Sequence, residues 1–147
     1  LGGNAGQQAL AVTVRRLAIS GGGPLEGRGH IVGKELLVAL LNGLVIGAVV
    51  ALATFILADV MGANTLIGLV VLLAMWGNIA MAGFAGSFIP TLLDRRGQDP
   101  AVASTVFLTA LTDMTGFLLL LGLATVILYT SMAFVNNLLS FNNLIIQ

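Results

Sequence analysis

The stretch TVFLTALTDMTGFLLLLG, residues 105–122, is apolar from end to end except for one carboxylate, Asp113, near its centre. No other charged residue occurs between Pro100 and the end of the chain. An ionised group at the middle of a membrane helix costs about 3 kcal/mol or more, so a carboxylate kept there points to work. Thr105, Thr109, Thr112, Asp113 and Gly116 follow one another at i, i+4, i+7, i+8 and i+11. In a helix that spacing gathers polar and small residues on one face. Asp113 is therefore expected to look onto a polar path and not onto lipid.

The composition agrees with a membrane setting. The 147 residues allow one domain, and they are 58% hydrophobic and only 8% charged. Soluble domains carry roughly a quarter charged residues. With a mean hydropathy of +1.06, the chain reads as an integral, multi-pass protein surrounded by lipid. Net charge is zero, so there is no basic stripe and no nucleic-acid partner is expected. The lack of cysteine removes disulfides, thiolate metal sites and a thiol nucleophile. No GxSxG, HExxH or phosphate-binding loop is present, which argues against an enzyme. The first residue is Leu1 and not Met, with no signal-peptide pattern beside it, and the expectation is a piece of a longer chain.

In chain order, residues 1–18 form a helical pattern shorter than the roughly 20 residues a span requires. Its Asn4, Gln8, Ala11 and Arg15 share one face. The glycines at 2, 3 and 6 suit either a backbone opened toward a pore or close helix packing. Residues 20–28, with three consecutive glycines and Pro24, read as a loop. A second helix is expected over 34–58, where Gly43 and Gly47 admit a close neighbour. Asp59 and Asn64 bracket a turn. A third helix covers 65–93, with Asn78, Ala82, Ala85 and Gly86 as a small, slightly polar seam. Asn78 is read as a packing and hydrogen-bonding residue between helices, and Pro90 is expected to loosen the last turns. Asp99 caps a fourth helix opened by Pro100, expected to end near Tyr129. The Asn-rich residues 130–147 are expected to form a tail at the membrane interface.

Arg15, Arg16, Arg28, Lys34, Arg95 and Arg96 fall on one side of this zigzag, which the positive-inside rule makes cytoplasmic. The 59–64 turn and the C-terminal tail then lie outside. Asp113, thirteen residues past Pro100, is about 20 Å along its helix and near mid-membrane. The residues alone leave four readings open for it: a cation site in a pore, a proton relay, a hydrogen bond to another helix, or an oddity without a role. One carboxylate with threonine hydroxyls cannot cage a divalent ion that takes six or more oxygens. The ion would keep water, or a second copy would supply a second Asp113. The donors are hard oxygens, and His30 is the only histidine, which favours magnesium, calcium or manganese over softer metals. His30 and Glu35 read as loop and interface groups.

GGNAGQQ at 2–8, PTLLDRRGQDP at 90–100 and TDMTGF at 112–117, in this order, closely resemble the membrane domain of the MgtE magnesium channel and transporter family. The resemblance covers residues 1 to about 129. It implies an all-α homodimer of five spans per subunit, four of them visible here and the first missing, set in the plasma or inner membrane. The ion path would run on the dimer axis between the helices of Asn4 and Asp113. Asp113 matches the family's pore aspartate, which holds largely hydrated Mg2+ with its symmetry mate. Asn4, Ala5, Gly6, Gln8, Thr105, Thr109, Thr112 and Gly116 correspond to pore-lining or neighbouring positions, and Mn2+, Co2+ or Ca2+ are further candidate ions. Gln7 stands where other members more often carry a smaller polar residue, and the family's cytosolic sensing domains are not in this sequence. A sodium- or proton-coupled Mg2+ exchanger is the alternative within transport; a non-conducting membrane scaffold is the alternative outside it.

Overall fold

The computed structural model describes residues 1–19 and 28–146; the loop expected at 20–28 lies almost wholly outside the described residues. The described residues form four helices, α1 (Gly2–Ile19), α2 (Arg28–Val60), α3 (Leu66–Arg95) and α4 (Pro100–Ile146), and no strand. Three segments are long and apolar enough to cross a membrane: His30–Val60, Leu66–Arg95 and Thr105–Ser140. The chain is an all-α integral membrane protein.

The connections follow their local chemistry. After α2 the chain reverses through Gly62, at φ 65°, a conformation that suits a residue without Cβ. The Asn64 side-chain oxygen accepts a 3.0 Å hydrogen bond from the Leu66 amide, satisfying one of the donors left free at the start of α3. Between α3 and α4 the turn passes through Gly97 at φ 69°, and α4 opens on Pro100, where a missing N–H costs nothing.

Helix α3 is the hub and packs against the other three. Apolar side chains gain little from leaving lipid for protein, so membrane helices associate through close backbone approach at small residues. Against α2, a methyl group at Gly43 would sit 3.2 Å from Cβ of Ile79, and one at Gly47 would sit 3.3 Å from the Leu72 carbonyl oxygen. Gly83 has no room for a side chain because Ala39 is against it, and Gly86 is closed by the Gly6 carbonyl oxygen of α1. Trp76 Nε1 adds a 3.1 Å hydrogen bond to the Leu40 carbonyl. Leu10, Ala85 and Leu108 form the small apolar cluster that joins α1, α3 and α4.

These contacts fix direction as well as proximity. Gly2 meets Asn78 and Gly6 meets Gly86, so α1 runs parallel to α3; Gly3 meets Thr112 and Gly6 meets Leu108, so α1 runs antiparallel to α4. Gly43 with Ile79 and Gly83 with Ala39 set α2 antiparallel to α3. The ends of the helices carrying Arg15, Arg16, Lys34, Arg95 and Arg96 therefore gather at one end of the bundle.

One open alternative closes and one expectation changes. The backbone is regular helix from Gly2 onward, so residues 2–8 do not open, and Gly2 and Gly6 serve close packing. Helix α4 does not stop near Tyr129 but runs 47 residues in all, from Pro100 to Ile146, about 70 Å at 1.5 Å per residue. No glycine or proline follows Gly122 to break it, and asparagine is only a weak helix breaker. Pro90 is accommodated inside α3. Around it the Thr91 hydroxyl donates to the Ser87 carbonyl at 2.7 Å, and the Ser87 hydroxyl to that of Gly83 at 2.9 Å.

Candidate functional site

Asp113 is exposed in the protomer, while its chain neighbour Thr112 is 1% exposed. The polar face of α4 thus straddles the edge of the bundle: Thr112 turns in, and Thr105, Thr109 and Asp113 remain at the surface. A cleft of about 200 Å³ beside Asp113 is lined by Gly2, Gly3, Asn78, Thr112 and Gly116 among others. It exists because α1 and α4 carry glycine where they flank Asn78. A methyl group at Gly116 would lie 2.9 Å from Asn78 Nδ2, and Gly2 is closed by the same amide.

The hydroxyls on this face are turned onto their own helix. Thr109 donates to the Thr105 carbonyl at 3.0 Å and Thr112 to the Thr109 carbonyl at 3.0 Å. A hydroxyl has one hydrogen and two acceptor lone pairs, so once the hydrogen is placed on the backbone, the oxygen presents only acceptor capacity. These threonines can face a cation or a cation-bound water but are poor donors to an anion. Asn78 belongs to the same set. Its Oδ1 is buried with no hydrogen-bond partner, a state that costs about 1–3 kcal/mol unless a donor meets it. Asn78 is thus a wedge between three helices whose buried oxygen is without a donor. Among the described residues no group of three His, Asp or Glu side chains is placed to hold a metal. Any ion at Asp113 would keep much of its water or take donors from a second copy.

The α1 residues expected beside Asp113 divide. Gly6 packs on Leu108. Asn4, Ala5 and Gln8 line a different and larger cavity of about 390 Å³, between α1 and α2, together with Glu35 and Asn42. The α1 residues that reach the Asp113 cleft are Leu1, Gly2 and Gly3, and Gln7, one turn beyond Gly3, shares the Gly3 face. The residue that sequence reasoning misplaced is Glu35. It is 9% exposed and lines the α1–α2 cavity, whereas its position beside Lys34 suggests an interface group. The spacing of Glu35, Ala39, Asn42 and Gly43, at i, i+4, i+7 and i+8, was the available signal that it faces inward.

Comparison with known proteins places the sequence in a family. Residues 1–123 match the family described as MgtE, divalent cation transporter. The chain is similar to the magnesium transporter MgtE of Enterococcus faecalis, with 43% identity over 122 residues, 83% of this chain and 26% of that protein. It is also similar to the magnesium transporters MgtE of Bacillus subtilis, 29% identical over 133 residues, and of Thermus thermophilus, 30% identical over 132 residues. Those alignments cover 87% and 86% of this chain and 27% of each relative, so the chain spans about a quarter of the length of the curated relatives it matches. All three relatives are named as transporters and none as an enzyme. With the match extending over most of its length and through the helices that carry Gly2, Asn78 and Asp113, this chain belongs to the MgtE divalent cation transporter family.

Proposed function

We propose that this chain is the ion-conducting membrane part of a magnesium transporter, with hydrated Mg2+ passing a site made by Asp113 of two copies related by a two-fold axis. The observation that carries the reading is a carboxylate left exposed within the apolar segment Thr105–Ser140, on the edge of one protomer. Such a group is costly against lipid, and a second copy across a water-filled path would remove it from lipid. Paired carboxylates and the lone pairs of Thr109 suit an ion that prefers oxygen and dehydrates reluctantly. Mn2+, Co2+ and Ca2+ share the first preference and differ in size.

The path lies between α1 and α4 of the two copies. The basic end of the bundle faces the cytoplasm and the far end of α4 lies outside, as the positive-inside rule requires. A doubly charged ion then gains about 4.6 kcal/mol per 100 mV of inside-negative potential, enough to drive uptake without a coupled ion.

The test pairs two measurements on the purified protein. Wild type in detergent is expected to gain thermal stability with Mg2+, since a ligand of the folded state raises its stability, and Asp113→Asn is expected to lose much of that gain. In proteoliposomes, Asp113→Asn is expected to lower Mg2+ flux at least tenfold while the dimer persists on size exclusion. A variant that carries flux like wild type would sink the reading.

A further inference from the structure

The α1–α2 cavity carries chemistry that the Asp113 site does not use. Glu35 is the only charged side chain among the buried polar residues described. Its depth follows from its contact with α3: the Glu35 carbonyl lies beside Gly83. Gly83 is twelve residues, about 18 Å, along α3 from Arg95. Asn78, which touches Gly2 and Gly116 at the level of the Asp113 cleft, lies five residues, about 7.5 Å, further along the same helix. Two carboxylates thus lie on different faces of the bundle and at different levels along α3. Ionisable groups packed among apolar helices are rare because they are expensive.

The surroundings of Glu35 suit a cation. Asn4, Gln8 and Asn42 line the same cavity and offer amide oxygens of the hard class. The adjacent base, Lys34, is exposed. At about 30 Å³ per water molecule, an ion with five or six waters needs roughly 200 Å³, and the cavity provides about 390 Å³. We propose that this cavity is a second divalent-cation site, in which Glu35 supplies the charge and the amides of Asn4, Gln8 and Asn42 hold the ion or its waters. The inference rests on the reading of the chain as a divalent-cation transporter. It differs from the Asp113 site in being built within one protomer.

Mn2+, a paramagnetic stand-in for Mg2+, separates the two. Titration of the purified protein followed by electron paramagnetic resonance is expected to find one ion per chain at the Glu35 site and one per two chains at the Asp113 site. Asp113→Asn should retain the first class, Glu35→Gln the second, and the double variant neither. If Asp113→Asn abolishes all Mn2+ binding, the second site is overturned and the Asp113 reading stands. If Glu35→Gln alone abolishes binding, the Asp113 reading fails and the second site stands. Unaltered binding with a lowered melting temperature in Glu35→Gln overturns the proposal in favour of a helix contact. Should Glu35→Gln not fold, Asn42→Ala, at an exposed position, is expected to weaken the one-per-chain class about tenfold, and unchanged affinity there overturns the site.

Discussion

Asp113 and Glu35 are both carboxylates on apolar helices, yet the protomer treats them oppositely. Asp113 is at the surface beside a cleft of about 200 Å³, and Glu35 is nine-tenths buried beside a cavity of about 390 Å³. The difference originates in α3. Where α3 meets α2, Gly83 lets the Glu35 and Ala39 turn come against its backbone, and the carboxylate is drawn under α1. Where α3 meets α4, Asn78 holds the helices around its own side chain, and the next position on α4 is left facing out. A group exposed by its own chain has to be completed by another copy, whereas a group enclosed by its own chain can be complete alone.

The largest effect is expected at the hub. A methyl group at Gly86 would meet the Gly6 carbonyl and sit 3.0 Å from Ala9 Cβ and 3.2 Å from the Leu10 amide nitrogen, all atoms of a helix that cannot turn aside. Gly86→Ala should separate α1 from α3 and lower stability by about 2–3 kcal/mol, in the range of overpacked cores, with loss of both cavities' ion binding. Gly122→Ala is the matched control, because nothing lies within 4 Å of that position and alanine favours helix by up to about 1 kcal/mol. Thermal melts of the two variants in detergent should move in opposite directions. Equal behaviour would mean that the hub does not organise the two sites.

How far these features were legible follows from what each depends on. Helices α2 and α3 and the turn between them were readable because hydropathy, Asp59 and Asn64 are local signals. The small residues Gly43, Gly47 and Gly86 announced close packing without naming the partner. The placement of Asn4 and Gln8 was not readable, since a helical stripe fixes which residues travel together but not which neighbour they face. In this fold α3 separates α1 from α2 along most of their length and leaves a cavity between them, a tertiary fact with no trace in the period of α1. Glu35 was obscured by Lys34, whose charge makes the pair look interfacial. The end of α4 was misjudged because four asparagines suggest a tail, while helix continuation needs only that nothing break it.

A smaller and more discriminating effect is expected at Asn78. Leucine has nearly the same branched shape, so Asn78→Leu removes the buried oxygen without a donor and largely preserves the wedge. Removing an unsatisfied polar group while keeping the packing is neutral or stabilising, by up to about 1–2 kcal/mol. If Asn78 also accepts from the water shell of an ion at Asp113, the variant should melt at the same or higher temperature yet bind Mg2+ more weakly. The Glu35 class of Mn2+ site should be unaffected. Loss of stability would instead mark the Asn78 amide as a structural donor, and the Asp113 cleft would then rest on the carboxylate and threonines alone.

The smallest effect concerns the threonines, and it asks whether the exposed face of α4 is a water path or a lipid surface. Thr109 and Thr125 have the same local chemistry: each hydroxyl donates to the carbonyl four residues earlier, at 3.0 and 2.8 Å, and both are exposed. Valine at either position keeps the shape and removes an oxygen whose hydrogen was already committed to the helix, so stability should change by less than about 0.5 kcal/mol in both. Only position separates them. Thr109 is one turn from Asp113 on its polar side, and Thr125 is three turns away and rotated by about 120° at 100° per residue. Thr109→Val should weaken Mg2+ binding at the Asp113 site two- to fivefold, the loss of one acceptor to a bound water, while Thr125→Val should leave it unchanged. If the two variants behave alike, the lone pairs of Thr109 are not seen by the ion, and the polar face of α4 narrows to Asp113 itself.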